Sequence, residues 1–145
     1  MNIKQTASIF ITFAIKRLAE TFGLIVFFSG LLLLISLISY SPNDPNFIFP
    51  ENTEIKNILG FRGSIVSDLL FQSIGLASYL LSLTLIITGI NILRIKDLFL
   101  VIENLFFSVL YLISGTLFLS YFYKNAFALY INGNGGFVGV YLNQT

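Results

Sequence analysis

The sequence predicts an all-α membrane protein with three transmembrane helices, an extracytoplasmic loop between the first two and a glycine-rich C-terminal segment. Residues 21–43, 69–93 and 104–123 contain no charged side chain. A bilayer core is about 30 Å thick and takes about 20 helical residues to cross, so each run can span it. Only 10% of the 145 residues are charged and 56% are hydrophobic, a balance that is unusual for soluble domains.

The composition also restricts the chemistry that the chain can perform. Cysteine and histidine are absent from the sequence, which excludes disulfides, thiolate nucleophiles, the usual zinc sites and a Ser-His relay. Glu20, Asp68 and Glu103 lie within a turn or two of the ends of the charge-free runs, whereas a proton pathway needs an acid near the centre of a span. We therefore expect no catalytic residue, no metal ion and no cofactor.

The first 20 residues are predicted to be a cytoplasmic or interfacial lead-in to the first span, residues 21–43. Lys16 and Arg17 precede this span, and a cleaved signal peptide is therefore an alternative. Its apolar region would be about twice the usual length, and Pro42 directly follows the small-residue site at which cleavage would occur. These features favour an uncleaved membrane anchor.

Residues 44–68 are predicted to form a periplasmic loop and the beginning of the second helix. Pro42 and Pro45 cannot continue a helix, and Asp44 can cap the following turn. Helical spacing resumes at Ser64, which places Asp68 near the membrane surface. Whether this loop is purely structural or also contacts partners stays open at this point.

The remaining spans are residues 69–93 and 104–123, joined by a short cytoplasmic turn at residues 94–103 that makes them an antiparallel hairpin. In the last segment, residues 124–145, only Lys124 is charged, and the segment contains Gly133, Gly135 and Gly136. An irregular backbone facing lipid would leave polar groups unpaired. We therefore expect this segment at the surface, as a loop or a short re-entrant element.

The distribution of lysine and arginine indicates a cytoplasmic N-terminus, because such residues are enriched on the inner side of a membrane. This orientation places five basic residues inside and three outside. The inner ones are Lys4, Lys16, Arg17, Arg94 and Lys96, and the outer ones are Lys56, Arg62 and Lys124.

Small residues recur at intervals of seven in the predicted spans, which suits left-handed helix packing. Chance is the alternative, since glycine and serine are common in membrane helices. The packing interpretation predicts that Gly75 and Gly89 face another helix, in the same chain or in a neighbouring subunit. The proposed packing residues are Gly23 and Gly30 in the first span, Gly75, Ser78, Ser82 and Gly89 in the second, and Ser108 and Gly115 in the third.

Three motifs resemble the N-terminal membrane domain of FtsK/SpoIIIE-type DNA translocases. Residues 40–47 resemble the Tyr-Ser-Pro-x-Asp-Pro-x-aromatic signature after the first helix of that family. Residues 57–71 resemble the beginning of its second helix, and residues 135–139 resemble the Gly-Gly-x-x-Gly element between its third and fourth helices. The motif residues are Tyr40, Ser41, Pro42, Asp44, Pro45, Gly60, Gly63, Asp68, Gly135, Gly136 and Gly139.

The resemblance, which covers roughly residues 16–140, implies a four-helix domain of the bacterial inner membrane. In that family the domain anchors a cytoplasmic ATP-driven DNA motor at the division septum, forms oligomers and contacts division proteins. Neither a Walker motif nor a nucleic-acid-binding module is present. We therefore expect an anchoring and interaction module that binds no nucleic acid itself.

Three spans would leave the C-terminus outside, whereas the resembling domain has four. We therefore interpret the chain as a fragment, or a truncated reading frame, of that domain. The alternative function is a small subunit of a transporter or channel complex, which would need polar side chains that face one another in the middle of the membrane.

Overall fold

The computed structural model describes residues 3–45, 54–123 and 132–144, with side chains from residue 8 onward. Three helical stretches within these ranges are long and apolar enough to cross a membrane, namely Ser8–Ile38, Gly60–Ile95 and Phe99–Phe122. The predicted all-α membrane fold is therefore confirmed. The elements are α1 (Ile3–Ile38), α2 (Gly60–Ile74), a 3-10 turn (Gly75–Ala77), α3 (Ser78–Ile95), α4 (Phe99–Phe122) and α5 (Gly136–Gln144).

Helices α1 and α3 make the most extensive contact in the bundle and run antiparallel. Gly23 lies against Ile92 near one end of the pair. Near the other end, the Tyr79 hydroxyl donates a hydrogen bond to the Leu37 carbonyl at 3.2 Å. Residue numbers therefore rise along α1 as they fall along α3, in nearly equal steps.

Glycines allow the backbones of α1 and α3 to touch. A Cβ on Gly30 would lie 2.8 Å from the backbone nitrogen of Ile86, and a Cβ on Gly89 would lie 2.5 Å from that of Phe27. Hydrophobicity does not drive helices together in lipid, so this close approach has to supply the attraction through packing.

The second predicted span, residues 69–93, is divided between the end of α2, the 3-10 turn and α3. If α2 continued α3 in a straight line, Gly63 would lie about 24 Å beyond Tyr79, since a helix rises about 1.5 Å per residue. Instead the Gly63 carbonyl accepts a hydrogen bond of 2.7 Å from the Ser36 hydroxyl, one residue from the Leu37 that Tyr79 contacts. The chain therefore turns at Gly75, where φ is +59°, and α2 folds back against the last turns of α1.

Helix α4 follows a tight turn after α3 and packs on it through polar pairs. The Asn104 amide donates to the Thr88 hydroxyl at 2.9 Å. One helical pitch or so further along, the hydroxyls of Thr84 and Tyr111 bond each other. These pairs satisfy polar side chains that would otherwise face an apolar environment.

Helix α5 runs back along the end of α4. The Asn134 side chain bonds the carbonyl of Tyr123, the residue that follows α4. Further along, a Cβ on Gly139 would lie 2.5 Å from the carbonyl oxygen of Thr116. Since residue numbers rise along α5 as they fall along α4, the two helices are antiparallel.

The expectation of a loop at residues 124–145 is wrong for residues 136–144, and the alternative of a short re-entrant element stays a prediction. Residues 136–144 are helical, and Asn134, Gly135, Gly136 and Gly139 are buried. The glycines lack side chains, so their backbone fits between α2 and α4. Residues 124–131 lie outside the described residues.

Replacement of Gly89 by alanine should destabilise the bundle by about 1–3 kcal/mol, since the new methyl group forces two backbones apart. The matched control is Gly115→Ala in α4, where the nearest atom to a new Cβ is 3.8 Å away. Thermal unfolding in detergent should lower the midpoint for Gly89→Ala and leave Gly115→Ala at or slightly above the wild-type value. Equal midpoints for the two variants would contradict this account of the α1–α3 contact.

Candidate functional site

The end of the bundle where α1 ends, here called the loop end, carries a cluster of buried polar residues around Asp44. Asp44 is only 5% exposed. Its carboxylate accepts hydrogen bonds from the backbone N–H groups of Lys56 at 2.9 Å and of Asn57 at 2.8 Å. Asp44 therefore ties the segment that leaves α1 to the segment that enters α2. Asp44 therefore caps backbone groups that lie 12 and 13 residues further along the chain. The sequence instead suggests that it caps the turn that directly follows it.

Asn57 connects the loop to both helices and was not predicted as a site residue. It is 4% exposed, and its amide nitrogen donates to the Ser36 carbonyl at 2.9 Å and to the Ser67 hydroxyl at 3.4 Å. Its side-chain oxygen accepts from the Leu59 N–H at 3.1 Å, an Asx turn just before α2. An asparagine two or three residues before a helix is the sequence signal that could have identified it.

Asp68 joins α2 to the end of α1. Its carboxylate accepts from the Tyr40 hydroxyl at 3.0 Å and from the Gln72 amide at 2.7 Å. The Tyr40 ring packs on Phe71 with centroids 4.8 Å apart, and Phe71 in turn packs edge-on against Tyr79 at 5.6 Å. Phe71 is fully buried. The three aromatic rings therefore form an apolar contact next to the polar cluster.

The C-terminal glycines close a second contact, at the turn between α2 and α3. The Leu76 N–H donates to the Asn134 carbonyl at 2.9 Å, and a Cβ on Gly75 would overlap that carbonyl. Gly136 approaches the backbone of Ile74 and Gly75 closely enough to exclude a side chain, whereas Gly135 faces Thr116. The described end of the chain is thereby joined to the first third of the second charge-free run.

The other motif residues contribute mainly to local structure. The Ser41 carbonyl accepts from the Asp44 N–H at 3.1 Å, and the Pro45 carbonyl accepts from the Ser64 hydroxyl at 2.9 Å. Pro42 is exposed. Gly60 has a φ of +67° with open space around it, and a Cβ on Gly63 would collide with the Asn57 side chain.

The structure divides the predicted packing residues into different contacts. Gly23, Gly30 and Gly89 meet between α1 and α3, as described above, whereas Gly75 faces the Asn134 segment. Gly115 has only loose contacts. Ser78, Ser82 and Ser108 are buried and donate to carbonyls of Gly75, Tyr79 and Asn104, in their own helix or at its start.

At the opposite end of the bundle, here called the turn end, charged residues form a small network. The Glu20 carboxylate contacts the guanidinium of Arg17 at 2.5 Å and the ammonium of Lys96 at 2.6 Å. Lys96 follows α3 and adopts a left-handed conformation with φ +60°. The network therefore links α1 to the turn between α3 and α4.

Charged and polar side chains at both ends of the bundle contact one another and the backbone. In residues 3–45, 54–123 and 132–144, the structure places no three acidic side chains close enough to hold a metal ion. The polar groups at the loop end bond one another and the backbone, so they hold the loop against the helices.

A search of protein-family models matches residues 15–145 to the 4TM region of DNA translocase FtsK/SpoIIIE. The match includes the loop end, the glycine contact of the C-terminal segment and all three long helical stretches except the beginning of α1. The chain belongs to the FtsK/SpoIIIE family. The part of that family represented here is the membrane region, which is not itself catalytic.

Curated relatives agree with this assignment. The DNA translocase FtsK of Rickettsia prowazekii is 31% identical over 124 residues, which cover 84% of this chain and 16% of the relative. The DNA translocase FtsK of Azospirillum brasilense is 37% identical over 79 residues, or 53% of this chain and 12% of the relative. That of Caulobacter vibrioides is 34% identical over 69 residues, or 48% and 8%. The chain thus spans a sixth or less of each relative, and no solved structure matches it.

Substitution of Asp44 by alanine should release the loop from the bundle, because the N–H groups of Lys56 and Asn57 lose their acceptor, and the buried Asn57 N–H alone costs about 1–3 kcal/mol. Hydrogen exchange should accelerate at the amides of Lys56 and Asn57, and the thermal midpoint in detergent should fall. Glu103→Ala removes an exposed carboxylate and serves as the control. Unchanged exchange at both amides in Asp44→Ala would show that the carboxylate does not hold the loop.

Proposed function

We propose that this membrane region anchors an FtsK-type DNA translocase motor in the bacterial inner membrane and serves as its oligomerisation and interaction module. The proposal includes a role in cell division and chromosome segregation, with membrane proteins of the division machinery as partners. The observation that carries it is the tethering of the loop between α1 and α2 by the Asp44 carboxylate. The two described ends of the loop are thereby held together, and fixing the ends of a segment lowers the entropy cost of ordering it on a partner.

The motor itself lies outside this region of the family, so the proposed contribution of the chain is mechanical. Three helical stretches that can cross a membrane provide the anchor. Large apolar side chains remain exposed along α4, such as Phe106 at 62% and Phe118 at 52%. Exposed apolar surface of this kind suits lipid or further membrane helices, including those of sister subunits.

The proposed orientation has the N-terminus in the cytoplasm and the loop end in the periplasm. The network of Arg17, Glu20 and Lys96 supports it, since basic residues from two separate segments meet at the turn end. Basic residues close to span ends favour the cytoplasmic side. In this orientation α5 heads back towards the cytoplasm, the direction that a fourth helix would take.

The alternative of a transporter or channel subunit gains no support from the described residues. The polar side chains of α3 and α4 that face each other, Thr88 with Asn104 and Thr84 with Tyr111, bond one another. Side chains that are paired in this way stabilise a helix contact and do not line an opening.

Cysteine accessibility tests the proposed orientation, because the chain has no cysteine of its own. In intact cells, a membrane-impermeant maleimide should label Glu54→Cys at the loop end. It should label Asp97→Cys at the turn end only after the inner membrane is permeabilised. The reverse pattern would place the N-terminus outside the cytoplasm.

A chimera tests the proposed division role. Residues 15–145 would replace the corresponding residues of the Caulobacter vibrioides translocase, whose own chain from that point to the motor is kept, with a fluorescent protein fused to the motor. We expect the chimera to concentrate at the division site and the Asp44→Ala chimera to spread through the membrane at equal abundance. The Glu103→Ala chimera, as control, should behave as the unsubstituted one.

Uniform membrane fluorescence from the unsubstituted chimera would leave the anchor intact but contradict the division role. Fluorescence in the cytoplasm would contradict the anchoring function as well.

A further inference from the structure

A groove of about 510 Å³ opens between α1, α2 and α3, on the side of the bundle where α2 folds back. Its volume lies within the range of about 300–1,000 Å³ that is typical of small-molecule sites. Apolar side chains form most of its walls, and Arg62 is the charged residue among those that line it. The apolar wall residues are Leu32, Leu33, Leu59, Val66 and Leu85.

Arg62 is a cation without a counter-charge among the residues that the structure describes. Its side chain is exposed, and no hydrogen bond or ion pair joins it to a described residue. The neighbouring Asp68 accepts from Tyr40 and Gln72, and Asp44 is capped by backbone N–H groups. The carboxylates of Asp68 and Asp44 therefore bond elsewhere, and neither of the ion pairs found among the described residues joins Glu54 to Arg62.

The depth of Arg62 places it close to the lipid headgroups. The next residue, Gly63, bonds Ser36, and Ser36 follows Glu20 of the turn end by 16 residues, or about 24 Å of helix. Since the hydrocarbon core is about 30 Å thick, the guanidinium lies near its outer boundary. An unpaired charge at this depth is costly, and a lipid phosphate is the nearest abundant anion.

We propose that this groove binds an anionic phospholipid, with one acyl chain against the apolar walls and the phosphate on Arg62. A guanidinium matches phosphate oxygens with two parallel hydrogen bonds. Helix α2 also begins without a side-chain cap at Leu59, so the N–H groups of its first turn add positive potential beside Arg62. The site is independent of the proposed division role.

A lipid fits the groove better than a helix from a second copy. Helices in membranes meet through small residues that let their backbones approach. In this bundle Gly23, Gly30 and Gly89 are already used between α1 and α3. The groove instead presents branched apolar side chains and a cation, which complement an acyl chain and an acidic headgroup.

Native mass spectrometry of the full chain, released from detergent with added lipid, tests the proposal. The Arg62→Gln variant should bind phosphatidylglycerol about fivefold more weakly, the effect of about 1 kcal/mol per basic residue. Its affinity for phosphatidylcholine should stay unchanged. Arg94→Gln, which removes an exposed arginine at the turn end, is the control, and Arg62→Lys should recover part of the selectivity. Thermal midpoints of all variants verify that each one folds.

Filling the groove provides a second test that leaves the cation in place. Ser29 lines the groove and is exposed, so Ser29→Phe should lower phosphatidylglycerol binding while Arg62 remains. Inorganic phosphate at the lipid concentration should displace none of the bound lipid. Displacement by phosphate would show that the groove recognises only the anionic group. It would overturn the proposal that an acyl chain binds against the apolar walls.

Three results would overturn the proposal. The first is equal phosphatidylglycerol affinity for Arg62→Gln and Arg94→Gln, and the second is an unchanged affinity in Ser29→Phe. The third is efficient disulfide linkage of Ser29→Cys chains in phosphatidylglycerol bilayers, since the chain has no other cysteine and the link would place a second copy in the groove.

Discussion

The backbone contact between α1 and α3 is the constraint on which the rest of the bundle depends. Apolar side chains gain little by leaving lipid for a protein interior, so the association of these helices relies on close packing. Gly30 and Gly89 permit that packing because their missing side chains leave room for Ile86 and Phe27. The contact fixes the register of the two helices and thereby brings the end of α1 to the beginning of α3.

The loop end is built on that register. Once Leu37 lies beside Tyr79, the chain that precedes Tyr79 must turn sharply for Gly63 to reach Ser36. A turn inside an apolar environment exposes backbone groups that need partners. The Asn134 carbonyl accepts from the Leu76 N–H, and the Ser78 hydroxyl donates to the Gly75 carbonyl. The C-terminal glycine segment therefore stabilises a turn about sixty residues earlier in the chain.

Much of this architecture can be predicted from the sequence because bilayer thickness acts on every residue of a span. The charge-free runs identify the three helical stretches, and the Tyr-Ser-Pro-Asn-Asp-Pro motif identifies the family. The turn at Gly75 is not predictable in this way, since Gly75-Leu76-Ala77 is apolar like its surroundings and its partner, Asn134, is remote. The seven-residue interval includes Gly115, yet packing at that position is loose, because the spacing alone does not tell which residues have a neighbour.

The folded-back position of α2 is the central claim, and the distance between Leu32 and Val66 tests it most directly. Both residues line the groove beside α1. If the second charge-free run were one straight helix packed in the observed register, these residues would be about 27 Å apart along the bundle. Pulsed electron paramagnetic resonance on Leu32→Cys/Val66→Cys, spin-labelled in lipid bilayers, should give a clearly shorter distance. A distribution centred near the straight-helix distance would contradict the account.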